Sequence, residues 1–256
     1  MSKRVATVAI LLFLLSLTRS MDLASEPTRT VPPFQVGERV VFAIKAFGVT
    51  AGHATLEIKE IIEFGDHEVY HIVVTTQTTP FFSPFYRIND RLETYLNTKE
   101  FYSHRYEAHL EEGGYRKDEV IIYDQERHIA YRKGKEIKIP PRVQDSVSVY
   151  YYLRTLNLRT GDVIRVPVNC GRHNYLLTLK VKGEERIHTK DGHHQALILI
   201  PQSLTLEGET TRKGEATAWL SVTEKTLLLA KISRAGIFSA QAVLIEWTPH
   251  LLPIRK

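Results

Sequence analysis

From Phe34 to Trp247 the chain is a succession of short runs rich in β-branched and aromatic residues, each closed by turn residues. Val40–Phe47, Thr55–Ile62, Val69–Thr76, Tyr86–Leu96, His104–Leu110 and Tyr115–Tyr123 lead the series, and Arg127–Arg132 and Glu136–Ile139 flank Lys133-Gly134. Six more runs lie between Val163 and Trp247, with Gly161, Gly183, Gly192, Gly214 and Gly236 in the gaps. Runs of this length and spacing read as strands joined by hairpins. Few are apolar on both faces, which argues against a parallel sheet buried between helices. One segment breaks the pattern. After Pro140-Pro141, Val149, Tyr150, Leu153 and Leu156 recur at helical spacing, with Asp145 or Ser146 placed to cap. The expected fold is therefore all-β: a large, strongly curved antiparallel sheet or incomplete barrel, with one plug helix over 145–156 of about three turns.

The first twenty residues stand apart. Lys3 and Arg4 precede an apolar run, Val5 to Leu17, and Thr18 and Ser20 follow it. This is the anatomy of a secretory signal peptide, and the run is short of the roughly 20 residues that span a bilayer. Cleavage near Ser20 is expected, with an uncleaved N-terminal anchor as the alternative and an exported, periplasmic location in either case. No Cys stands at the end of the run, which excludes lipoprotein-type acylation. Residues 21–33 read as a polar linker and 34–250 as a single β-rich domain. The net charge of +5 falls to +2 once residues 1–20 are removed, which does not suit a nucleic-acid-binding surface. Cys170 is the single cysteine, so no internal disulfide can form, and its place on a strand suggests a buried, inert thiol.

Three groups of residues invite a functional reading. Phe81, Phe82, Phe85 and Tyr86 surround Ser83-Pro84. The prolines make this a loop, and so much apolar area is expected either to seal the core or to line a ligand as a lid, with one Phe anchored inside and one at the mouth of a cavity beside the helix. On the following strand Asp90 alternates with the apolar positions Ile88 and Leu92, so its carboxylate should face inward. There it needs a partner, and Arg154 on the helix is the expected one. The helix residues Tyr150 and Leu153, and Trp219 on a late strand, complete the expected ligand-contacting set. His188, His193 and His194 fall at a hairpin tip in a pattern that does not chelate a metal. No nucleophile-elbow, phosphate-loop or dinucleotide motif is present, and no cofactor, metal or catalytic residue is expected.

Four segments taken together resemble a family of bacterial exported proteins of unknown function: residues 34–58, with their Gly-Glu opening and Ala-Gly turn, then 85–97, 142–162 and 214–244. The chain departs from that family at Thr226-Leu227-Leu228-Leu229, where an acid and a Pro usually follow the Trp strand. The architecture more distantly resembles lipoprotein carriers of the LolA/LolB type, which implies a curved sheet whose apolar cavity is closed by helices. The leading expectation is a non-enzymatic cell-envelope protein that binds a lipid or acyl chain in its half-barrel, with peripheral or no membrane contact. An interaction or scaffold domain with a packed interior and an envelope protein partner is the alternative. A hydrolase built on Asp90, Arg154 and a His ranks third.

Overall fold

The computed structural model describes residues 32–205, 215–234 and 238–249. The expected signal segment and most of the linker lie outside the described residues. Fourteen strands form one antiparallel sheet: β1 (Arg39–Ala46), β2 (Val49–Phe64), β3 (His67–Thr78), β4 (Asn89–Asn97), β5 (Ser103–Glu112), β6 (Tyr115–Asp124), β7 (Ile129–Arg132), β8 (Lys135–Lys138), β9 (Val163–Cys170), β10 (His173–Thr189), β11 (Gly192–Thr205), β12 (Glu215–Ser221), β13 (Leu227–Arg234) and β14 (Phe238–Thr248). The spatial order is β8-β7-β6-β5-β4-β3-β2-β1-β14-β13-β12-β11-β10-β9. The sheet is thus two meanders joined at its centre by β1 and β14. The single described helix, α1 (Ser148–Arg154), is seven residues long, about half the expected length. Ser146 and Val147 precede it in a turn, with Asp145 just ahead of them, and Thr155 closes it.

The outer strands β8 and β9 do not pair, so the barrel is incomplete. The segment leading into α1 spans the gap. Gln144 donates its backbone N–H to Pro167 O (2.9 Å) and accepts from the N–H of Asn169 (2.8 Å), both on β9. Its side chain donates to Phe101 O (2.8 Å) in the β4–β5 connection. Gln125 adds bonds to Ser103 O and Val143 O. This strap satisfies part of an otherwise open edge, and β8 carries exposed Lys135 and Lys138, a usual guard against edge pairing.

The β1–β2 connection is tighter than the run boundaries imply. It turns at Phe47-Gly48, and the Gly-containing stretch at 51–52 lies inside β2, opposite an irregularity between Ile44 and Lys45. A Cβ at Gly52 would sit 2.5 Å from Gln77 O, so only glycine lets β2 and β3 approach here.

Apolar side chains from both meanders meet on the concave side. Phe42, Leu56, Ile72, Leu96, Ile121 and Tyr151 belong to one large cluster. Val149, Leu153, Leu177, Leu179 and Leu199 belong to a second beneath the helix. The helix enters from the end at which β1 begins, since Glu38, just ahead of β1, contacts it. The β1–β2, β3–β4 and β5–β6 turns therefore lie at the opposite end, here called the rim.

Candidate functional site: an apolar cavity over the plug helix

A cavity of about 90 Å³ lies between α1 and the middle strands. Phe42, Leu56 and Val74 line it from one meander, Leu177, Leu199, Leu220, Leu227 and Ala230 from the other, and Ala242 from the centre. The helix contributes Val149, Tyr150 and Leu153, with Ser146 and Val147 before it. Ser146 and the Tyr150 hydroxyl are the polar groups of this wall. The hydroxyl lies 3.2 Å from Thr226 Oγ1 and accepts from Leu227 N–H (3.3 Å), which ties the helix to the start of β13. The space is small and greasy. An apolar cavity of about 150 Å³ stays dry and admits benzene, so this one suits a smaller group or the end of a chain.

Two buried polar assemblies fix the helix against that cavity. The first is Arg154, which is fully buried. Nη1 and Nη2 donate to Glu38 Oε1 (2.5 Å) and Oε2 (2.8 Å), and Nε donates to Lys225 O (2.8 Å). Phe34, Tyr150 and Tyr151 box the guanidinium, with ring centroids 5.2 to 5.5 Å away. Burial works against the charge, but Tyr150, Glu38 and Tyr151 together hold the guanidinium pKa above the ordinary arginine value. The second is Asp145, also fully buried. Its Oδ1 accepts from Val147 N–H (2.6 Å) and Ser148 N–H (2.8 Å), capping the helix, and Oδ2 accepts from Thr94 Oγ1 (2.5 Å).

Desolvation raises the Asp145 carboxyl pKa above its ordinary value despite these bonds. Above the unfolded value of about 3.9 the native state retains a proton that the unfolded chain has lost, so stability falls as pH rises through the folded pKa. Asp145→Asn keeps an oxygen for the two N–H groups and lets Thr94 accept instead of donate. Denaturant melts at pH 4 and pH 7 should show the variant gaining on wild type at the higher pH. An equal difference at both would mean that the carboxylate carries no net burial cost.

The residues singled out from sequence fall in different places. Tyr150 and Leu153 line the cavity. Trp219 does not: its Nε1–H donates to Glu185 Oε2 (2.7 Å), and Lys231 lies over its ring, both partners being exposed. Leu220, beside an irregularity in the β12–β13 register, lines the wall instead. Asp90 is buried and accepts from Glu111 N–H (2.8 Å). The expected Asp90–Arg154 tie is replaced by Glu38–Arg154, because the helix docks beside the entry to β1. Glu38 is the site residue that sequence reasoning missed; its nearest signal was the Gly37-Glu38 opening of the first strand.

The aromatic loop also differs from expectation. Phe82 and Ser83 donate N–H to Thr79 O, and Phe85 and Tyr86 donate to Phe82 O, giving two successive turns. These direct Phe81 and Phe85 outward, 73% and 81% exposed. Phe82 is half-buried and meets Phe81 edge-on at 5.1 Å, and Tyr86 packs on Gly113. Neither the core anchor nor the cavity mouth beside α1 is found, since the loop sits at the rim and α1 enters from the other end.

Cys170 is partly buried, and desolvation pushes its thiol up to about 12. His188 and His193 face each other across the β10–β11 hairpin with rings 4.7 Å apart, while His194 bonds Thr189 Oγ1. Among the described residues no cluster of His, Cys, Asp and Glu has the makings of a metal site, and no helix is long and apolar enough to cross a membrane.

Three solved structures are similar to this chain to different degrees. A β-barrel-like protein of the DUF1849 domain of unknown function from Brucella abortus superposes with a TM-score of 0.51 at 9% identity, over 83% of this chain and 97% of that one. A "putative lipoprotein" from Parabacteroides distasonis aligns with a TM-score of 0.40 at 11% identity, over 86% of this chain and 99% of that one. A "putative exported protein with YmcC-like fold" from Bacteroides fragilis gives a TM-score of 0.40 at 8% identity, over 86% of this chain and 100% of that one. The first of these shows a common fold and carries nothing about activity. No curated protein matches the chain. The model of one family does, over residues 39–236, from the start of β1 to just past β13: the chain belongs to DUF3108, a family of proteins of unknown function.

Proposed function

We propose that this protein is an exported, non-enzymatic component of the cell envelope that holds a small apolar group, such as the end of an acyl chain, between its curved sheet and α1. The observation that carries the reading is the cavity, walled by aliphatic and aromatic side chains from both meanders and floored by Tyr150 and Leu153. The charge-then-apolar pattern of residues 1–20 supports export. A catalytic role for Arg154 is disfavoured because its guanidinium is fully buried and bound to Glu38. The volume of about 90 Å³ favours a terminal segment over a whole chain. The same smallness also favours a second reading, an interaction domain whose interior is simply packed.

Native mass spectrometry of protein purified from its own envelope should retain a lipid-mass adduct. Titration with a fluorescent fatty acid should show saturable binding that Ala230→Leu, which fills the cavity, removes while the fold persists. A wild-type protein that carries no adduct and binds no probe would establish the packed-interior reading.

A further inference from the structure

We propose that the rim, opposite the plug helix, docks on an anionic lipid surface through Phe81 and Phe85. Both rings stand out from a loop braced by its own turn hydrogen bonds, so their exposure is built in by the backbone. The loop is pinned to the neighbouring hairpin: Thr79 donates N–H to Ala51 O (2.9 Å), and Thr78 pairs with Gly52. That hairpin adds Phe47 and Val49, 73% and 53% exposed. Large apolar groups gathered on adjacent turns mark a contact surface.

The surrounding charge selects the occupant. Arg87 is exposed directly after the loop, and Arg116, Lys133 and Arg172 are exposed on the other described turns of this end. Of the carboxylates described at this end, Glu111 is paired with Arg116 and Glu112 is buried, while Glu136 on β8 and Glu215 on β12 are exposed, fewer than the cations around them. Protruding rings within a cationic border match the acyl boundary and phosphates of an anionic leaflet. A protein partner would more usually meet a broad, shape-matched patch. The rim can act in this way whatever the cavity holds.

The test is vesicle co-sedimentation of the full chain on phosphatidylcholine alone and on phosphatidylcholine doped with phosphatidylglycerol. Binding should favour the anionic vesicles, and Phe81→Ser with Phe85→Ser should weaken it by roughly tenfold per ring. Arg87→Gln should reduce the preference for phosphatidylglycerol. Because the apolar run from Val5 to Leu17 is common to every full-chain variant, a local readout is needed as well. Trp introduced by Phe85→Trp should be quenched by brominated acyl chains beyond the level set by Trp219 and Trp247. Circular dichroism should match wild type throughout, both rings being exposed. Equal partitioning of wild type and double variant, or no added quenching at position 85, would overturn the proposal. Cross-linking of position 85 to a protein in envelope extracts without that quenching would assign the rim to a protein partner instead.

Discussion

Replacing Arg154 by Met should cost about 3–5 kcal/mol of folding stability, because the change leaves the Glu38 carboxylate buried without its cation. Glu38 is 1% exposed and takes both terminal nitrogens of the guanidinium, so water cannot readily replace them. The donation to Lys225 O, which ties the helix to the β12–β13 turn, disappears with it. Pairing Arg154→Met with Glu38→Gln should recover a large part of the loss, since an amide is cheaper to bury than an unpaired charge. Denaturant unfolding of the two single variants and the double variant would decide the matter. If the double variant is as unstable as the sum of the singles, the ion pair is not the coupled unit that its geometry implies.

Phe34→Ala should be comparably damaging, at about 3–5 kcal/mol, the usual range for removing a buried Phe. Phe34 precedes β1 and meets Tyr70, Phe101 and Tyr151 edge-on, at centroid distances of 5.7, 6.3 and 5.1 Å, with Arg154 over its ring. It therefore holds the entry to β1, the β4–β5 connection and the helix together. Combined with Arg154→Met the loss should be less than additive, because both changes open the same corner. A loss below about 1 kcal/mol would show that the corner collapses around the missing ring.

Much of this architecture was legible in the chain, and the failures have physical causes. Alternation along Ile88-Asp90-Leu92 places Asp90 inward, since the period of a strand needs no tertiary knowledge. Its partner was not legible. Glu38 and Arg154 are 116 residues apart, and only the docking of the helix beside β1 brings them together. Helical spacing correctly marked Tyr150 and Leu153 as one face, but the strap through Gln144 bonds to β9 and leaves only seven residues for the helix. Trp219 was misplaced because the β12–β13 register shifts beside it, and alternation stops being a guide at such irregularities. The prolines identified the 79–86 loop, yet its apolar area says nothing about direction. The turn bonds to Thr79 and Phe82 decide that Phe81 and Phe85 face out.

The pairing of β1 with β14 has a consequence for how such a chain reaches its native state. Every other ladder joins strands adjacent in sequence, so β1–β8 and β9–β14 can each zip up from local hairpins. The central ladder cannot, since Ala46 must find Ala240. Closing so long a loop adds an entropic cost before any of its contacts form, and non-local strand pairing is the slow kind. Until the last strand is available, β1 and β13 each present an open, apolar edge in what will be the middle of the sheet, a state prone to aggregation. A chain threaded N-terminus first through a membrane would wait in that condition until its final residues emerged. For such a protein the interval between first hairpin and last strand is when a holdase chaperone would matter most.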